Sequence, residues 1–341
     1  MFKSRLFGKS FGTLAAVLFL AAGLLLPFLE TGKEESFLTY FNKALTPKEI
    51  KIVAAGDIML DRGVEYMVKK YGGGDYCWPF LKIADYFKKA DISFANLESP
   101  ISDKGRRLGS IYSFRAKLKA ITGLVCAGLD VVSLANNHAL DYGREALLQT
   151  MDLLKQKGIA YSGAGKNSRE AFSVSVRRVK GTKIGFLAYT NLGSCLWRAT
   201  PDTAGLAWID RRVFKNIIDY IKKIKQNRVA DILVVSLHAG KEYSPEPTSF
   251  QVDFAHSCID AGADLVIGHH PHVVQKVEKY KGGWIAYSLG NFIFDQSFSE
   301  ETMKGLVLEA IIENRKIKKV FLRPIKLNKY FQAAFTDSFL P

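Results

Sequence analysis

From residue 51 onward, apolar residues come in short unbroken runs, and most runs are separated by stretches whose apolar positions repeat at helical spacing. The runs occupy residues 51–55, 92–95, 131–134, 183–189, 232–237, 265–267 and 284–289, with helical patterns over 78–89, 117–127, 144–157, 211–225 and 249–261. A strand that is apolar at every position, rather than at alternate ones, is buried on both faces. The pattern therefore predicts an α/β fold with a largely parallel sheet covered by helices. Residues 306–312 and 317–322, joined by 313–316, predict a closing antiparallel hairpin.

The amino terminus follows a different rule. Residues 11–29 carry no charge, Lys3, Arg5 and Lys9 precede them, and Glu30, Lys33, Glu34 and Glu35 follow. Such a segment is just long enough to span a bilayer, and its positive flank predicts an amino terminus left in the cytoplasm. The expected organisation is a signal anchor over 1–29, a polar linker over 30–49, a main domain over 50–325 and a tail over 326–341. That makes a single-pass protein of the cytoplasmic membrane with its domain outside the cytoplasm. A cleaved signal peptide is the competing reading; against it stand the long apolar core and the lack of a clear A-x-A site before Glu30.

Composition narrows the class. With 341 residues, 48% hydrophobic and 24% charged, the chain can bury a large core. Cys77, Cys126, Cys195 and Cys258 form no C-x-x-C pair and are too sparse for a disulfide scaffold, so buried free thiols are expected. The net charge of +15 suits a polyanion or anionic headgroups, and equally suits a plain soluble surface. The basic residues are scattered and no nucleic-acid module accompanies them, so a nucleic-acid partner is excluded.

The chemistry lies where the strands end. In open α/β sheets catalytic groups gather beyond the carboxyl ends of the strands. Here those ends read Gly56-Asp57, Asn96-Leu97-Glu98, Asn136-Asn137-His138, His238, His269-His270-Pro271-His272 and Gly290-Asn291. Any one of them is weak, since an aspartate after a strand is usually a helix cap and a lone histidine usually a core residue. Six strand ends bearing imidazole, carboxylate or amide oxygen point instead to a site for a divalent cation. His256, within a helical stretch and without a partner in sequence, reads as structural.

Six stretches then carry a family resemblance: residues 55–60, 95–100, 134–143, 238–243, 262–275 and 287–295, which include Leu134-Ala-Asn-Asn-His138 and Gly268-His-His-Pro-His272. Together they resemble the poly-gamma-glutamate capsule synthesis family CapA, itself similar to the calcineurin-like metallophosphoesterases. The resemblance implies a four-layer α/β/β/α sandwich with mixed sheets and a metal centre at one rim. On that pattern Asp57, Glu98, Asn137, His238, His270 and His272 are the metal ligands. His138 is the proton donor or phosphoryl-oxygen ligand, and Asp141 orients its ring. Arg62, Arg115 and Asn291 are candidates to hold an anionic substrate, although either arginine also reads as a surface or salt-bridged residue.

Two departures bear on the metal count. The phosphoesterase D-x-H has become Asp57-x-Met59, which removes a nitrogen ligand, and Glu98 replaces the bridging aspartate with one more methylene. One or two ions of Mn, Fe or Zn remain open. Asp61 reads either as a substitute carboxylate or as a helix cap. The resemblance further implies an anionic polymer such as poly-gamma-glutamate, a membrane setting and a polymer synthase complex as partners. Two functions stand: a metal-dependent hydrolase of a phosphoester or amide, and a non-catalytic polyanion-binding component of synthesis and export.

Overall fold

The computed structural model describes residues 49–337. Its strands, numbered in chain order, form two mixed sheets. The first runs β16 (Ala333–Phe335), β15 (Lys316–Leu327), β14 (Lys304–Glu313), β1 (Ile50–Ile58), β2 (Ile92–Leu97), β3 (Val131–Ser133) and β4 (Ala160–Ser162), with β13 (Asn291–Ile293) also parallel to the end of β1. The second runs β11 (Val277–Tyr280), β12 (Gly283–Ala286), β10 (Leu265–His269), β9 (Ile232–His238), β7 (Thr182–Thr190) and β6 (Ser175–Val179). A small pair, β5 (Ala164–Gly165) and β8 (Gly205–Leu206), stands apart.

Three apolar cores make this a four-layer sandwich. The sheets face each other across Ile52, Ala54, Phe94 and Val131 on one side and Ile184, Phe186, Val234 and Leu265 on the other. Phe94 and Phe186 stack there at 5.7 Å between ring centroids. Outside the first sheet lie α1 (Arg62–Tyr71), α2 (Ala84–Lys88), α3 (Ile121–Ala127) and α4 (Gly143–Gln156), which bury Val68, Phe87, Leu124 and Leu154. The short helix α5 (Ser168–Ala171) precedes the second sheet. Outside that sheet α6 (Arg211–Gln226) buries Ile217, Ile221 and Ile224, the helical spacing seen in the sequence, beside α7 (Ser249–Asp260). Thr248 and Gln251 close α7 with a reciprocal capping box.

The unbroken apolar runs are the central strands of both sheets, because each is covered by a helical layer on one face and the opposing sheet on the other. Periodicity predicts burial on both faces and does not say how many sheets provide it. The expected hairpin is present as β14 and β15, and β15 alternates exposed and half-buried positions as a strand with one wet face does.

Other boundaries differ from expectation. The first sheet does not end at 325: β15 continues to Leu327 and is paired by β16 at Ala333–Phe335, so residues 326–327 and 333–335 of the expected tail belong to the sheet. The helix expected over 78–89 is a 3-10 turn at Trp78–Phe80 followed by α2, with amides bonding three residues back at Phe80, Ile83 and Tyr86. The apolar segment 11–29 lies outside the described residues, among which no helix is long and apolar enough to cross a membrane.

Two of the cysteines are not free thiols. Cys77 and Cys126 are joined, with their α-carbons 5.4 Å apart across 49 residues of sequence, while Cys258 is a buried thiol and Cys195 an exposed one. Spacing along the chain could not reveal this pair, because the packing of α3 against the Trp78–Phe80 turn is what creates it. Closing a loop of that length stabilises by about 4 kcal/mol in the chain-entropy account. Cys126→Ser should therefore shift the urea midpoint down by a corresponding amount, and an unchanged midpoint would remove the bridge from the stabilising inventory.

Candidate metal centre

Strand register assembles the site before any side chain is considered. In the first sheet Asp57 stands level with Asn96 on β2 and Asn291 on β13, and in the second sheet His238 stands level with His269. The two sheets thus present their carboxyl ends at one rim. Gly56 permits the closest approach: a Cβ there would lie 1.8 Å from the Gly290 carbonyl oxygen, so no side chain fits between β1 and the segment leading into β13. His270 and His272 hold positive φ angles of 97° and 58°, a conformation L-residues seldom adopt, and this backbone carries both imidazoles into the rim.

The six residues expected as ligands come together there. One atom each from Glu98, His270 and His272 lies within 4.8 Å of the others, and the same holds for Asp57, Glu98 and His238. Glu98 belongs to both groups, the place a bridging carboxylate would occupy. Its Oε1 lies 3.6 Å from His272 Nε2 and 3.8 Å from His238 Nε2. The Asn137 amide oxygen is 2.7 Å from His238 Nε2. Glu98 Oε1 and His270 Nδ1 are buried with no hydrogen-bond partner. Orphaned lone pairs in a dry cluster of carboxylate, imidazole and amide oxygen fit a divalent cation.

Electrostatics agree with that fit. Burial pushes the Glu98 carboxyl well above its usual range, and the neighbouring Asp57 carboxylate pushes it further. Asp57 is also penalised by burial, but His269, His272 and His238 beside it outweigh that penalty and hold it well below the carboxylate range. Burial lowers His238 and His272, and lowers His270 to about 3 with help from His272. The three imidazoles are thereby kept neutral, the form in which histidine ligates metal.

His138 sits at the edge of the cluster, with Nε2 4.0 Å from Glu98 Oε1 and its ring against Phe114 at 4.0 Å. Asp141 Oδ2 is 2.7 Å from His138 Nδ1 and also accepts the Phe114 amide at 2.8 Å. Asp141 therefore fixes the ring with Nδ1 protonated and Nε2 turned toward Glu98.

Of the three residues expected to meet substrate, Asn291 is placed otherwise, and the two arginines are engaged in contacts within the protein. Asn291 is fully buried behind His272: its amide nitrogen donates to Gln296 Oε1 and the Thr302 carbonyl, leaving its oxygen 3.0 Å from His272 Nδ1. It orients a ring and does not face open space. Asn291→Ala should weaken metal binding ~10- to 100-fold, the usual cost of losing such a support, as titration with Mn²⁺ would register; unchanged affinity would refute the role. Arg62 forms a two-pronged pair with Asp295, at 2.5 and 3.1 Å, over the Phe114 ring. Arg115 donates to the Lys104 carbonyl and lies over Tyr142. Asp61 neither substitutes for a ligand nor caps α1 through its side chain; it accepts the Arg115 amide at 2.8 Å. The Met59 sulfur accepts the Asp61 amide at 3.1 Å.

Two supports escaped sequence reasoning. The Asn96 amide nitrogen contacts Asp57 Oδ1 at 2.9 Å, Glu98 Oε2 at 3.4 Å and His238 Nδ1 at 3.2 Å, and Asn136 in turn donates to the Asn96 oxygen. His269 is fully buried 3.1 Å from Asp57 Oδ1, with neither ring nitrogen aligned for a hydrogen bond. Both stand at strand ends already singled out, but only register shows which way they turn. His256, on α7, stacks on Tyr280 and pairs with Glu278 at 3.1 Å, both on the edge strand β11, and is in neither group of candidate ligands.

Comparison with known proteins places this geometry. A family model described as bacterial capsule synthesis protein PGA_cap matches residues 51–296. The capsule biosynthesis protein CapA of Bacillus anthracis is 33% identical over 271 residues, covering 78% of this chain and 65% of its own length. The PGA biosynthesis protein CapA of Bacillus subtilis strain 168 is 31% identical over 289 residues, covering 83% of this chain and 73% of its own. The chain thus spans just under two thirds of the B. anthracis relative. A crystal structure described as a novel phosphatase, from Mycoplasma pneumoniae, superposes with a TM-score of 0.51 at 16% identity over 82% of this chain and 94% of that one, which establishes a shared fold.

Proposed function

Since the chain belongs to the bacterial capsule synthesis family PGA_cap, we propose that it serves the synthesis or export of an anionic polymer such as poly-gamma-glutamate at the outer face of the cytoplasmic membrane. It does so through a centre for one or two divalent ions, beside a polymer synthase. The observation that carries this reading is the convergence of Asp57, Glu98, Asn137, His238, His270 and His272 from distant strands, with Glu98 Oε1 and His270 Nδ1 buried and unpartnered. The Cys77–Cys126 bridge supports an extracytoplasmic setting, because structural disulfides persist in oxidising compartments.

When bound, such ions supply Lewis acidity that lowers the pKa of an attached water and polarises a phosphoryl or acyl oxygen. The protein's own groups do the rest. Asp57 and Glu98 provide the negative charge, and Asn291 holds His272 in place. His138, held by Asp141 with Nε2 toward the cluster, is positioned to give a proton to a leaving group. This arrangement favours hydrolysis of a phosphoester or amide. The loss of a nitrogen ligand at Met59 favours the second reading, a centre that binds polyanion without turning it over.

Metal analysis of the purified chain, followed by Mn²⁺-dependent hydrolysis of a generic phosphoester, separates the two. Bound metal with turnover supports the hydrolase, bound metal without turnover supports the accessory role, and a chain that never takes up a divalent ion refutes both.

A further inference from the structure

We propose that the rim around the metal centre docks onto an anionic lipid surface, so that the centre works against the bilayer rather than facing away from it. Among the described residues the most exposed large apolar side chains are Ile111 at 84%, Leu196 at 77%, and Tyr112 and Phe298 at 65% each. All four lie in connections that follow the carboxyl ends of strands: Ile111 and Tyr112 after β2, Leu196 on a 3-10 turn (Cys195–Trp197) after β7, and Phe298 after β13. Two strand ends that build the candidate site therefore also lead to apolar tips: β2, which delivers Glu98, and β13, which carries Asn291.

Contacts tie these loops to the site. Phe114 packs on His138, and the Leu108 amide donates to the Asp141 carbonyl, so the loop after β2 borders the cluster. Tyr243 bridges the other side, 6.2 Å from His272 and 5.0 Å from Phe298 between ring centroids. Arg144, at the start of α4, donates to the Leu196 carbonyl at 3.0 Å.

Charge selects the occupant. Residues 104–115 include Lys104, Arg106, Arg107 and Arg115 and no acid, so basic residues flank the tip that carries Ile111 and Tyr112. Arg107 holds that tip by donating to the Ser110 and Ile111 carbonyls, each at 2.7 Å. Apolar tips on separate loops, the most exposed of them edged by basic groups while Phe298 has Glu300 and Glu301 beside it, match an interface that takes up single side chains and meets anionic headgroups at the Ile111 tip; a protein partner would ask for one continuous apolar patch. Each basic residue near such a surface strengthens partitioning about fivefold.

The inference rests on the membrane placement proposed above and not on what the centre catalyses. The test uses the full chain with Cys195→Ser, spin-labelled at Ile111→Cys or Phe298→Cys on the rim, or at Leu81→Cys as an exposed control on the turn before α2. Samples are reconstituted into vesicles of phosphatidylcholine with or without phosphatidylglycerol. Flotation reports membrane association, and relaxation by oxygen against a water-soluble nickel chelate reports lipid contact at the label. With the anionic lipid, rim labels should become severalfold less accessible to nickel and more accessible to oxygen, while the Leu81 label stays unchanged. Arg106→Glu with Arg107→Glu should reverse the change. Rim labels as open to nickel as the control in floating vesicles would overturn the docking alone. Dipolar broadening between rim labels would also overturn it, because a second copy would then cover the face. A chain that fails to float would overturn the docking and the membrane placement together.

Discussion

His138→Ala should lower metal-dependent phosphoester turnover by ~10²- to 10⁴-fold, the range that a positioned proton donor contributes, with bound metal unchanged. The geometry separates the two effects. His138 Nε2 lies 4.0 Å from Glu98 Oε1, at the edge of the cluster, and neither three-residue group that could hold an ion includes it. Its ring is fixed by Asp141 at 2.7 Å and by the face of Phe114, so alanine removes a proton and little of the frame. Asp141→Asn keeps the imidazole but withdraws the carboxylate that holds Nδ1–H, and a smaller loss of ~10- to 100-fold is expected. A turnover assay paired with metal analysis decides the matter. Wild-type rates from His138→Ala would show that the proton comes from elsewhere, and loss of metal in that variant would make His138 a ligand.

Glu98→Gln should do two opposite things: abolish metal loading and make the metal-free protein more stable. Glu98 is fully buried, its Oε1 lacks a partner, and it stands beside another carboxylate. A buried polar group without a partner costs about 1–3 kcal/mol, and more when charged. Only a bound cation offsets that cost, so the residue is retained for binding and at the expense of the empty fold.

The pH dependence follows from the sign of the shift. A carboxyl raised by folding binds its proton more tightly in the native state, so native stability is eroded as pH rises from the unfolded value near 4.3 toward the raised one. Asp57, which is lowered, acts in the other direction and only at more acidic pH. Urea unfolding in chelator should therefore show a larger advantage for Glu98→Gln at pH 8 than at pH 5. A variant that loads Mn²⁺ normally, or is less stable than wild type at pH 8, contradicts the bridging role.

Much of the architecture could be read along the chain because burial leaves a linear mark. A strand covered on both faces must be apolar at every position, and a helix packed on one side must repeat near every fourth, so β1, β2, β7, β9, β10, α6 and α7 all announce themselves. Short or edge elements do not. The strands β4, β6, β11 and β16 are partly wet or only three to five residues long, and nothing in their local pattern outweighs a loop. The candidate ligands were legible for a separate reason: carboxylate, amide and imidazole at six strand ends form an improbable set unless one ion is shared.

Sequence alone settled the residue types at the rim, the alternation of strand and helix, and the absence of the usual histidine at Met59. Tertiary structure alone decided which groups support which. Asn96 reaches Asp57, Glu98 and His238 because parallel register sets it level with Asp57, and Asn291 turns behind His272 because β13 returns alongside β1. Cys77 meets Cys126 because α3 packs on the turn that carries its partner. Such relations depend on distances between segments far apart along the chain, and those distances exist only once the two sheets have closed on their shared core.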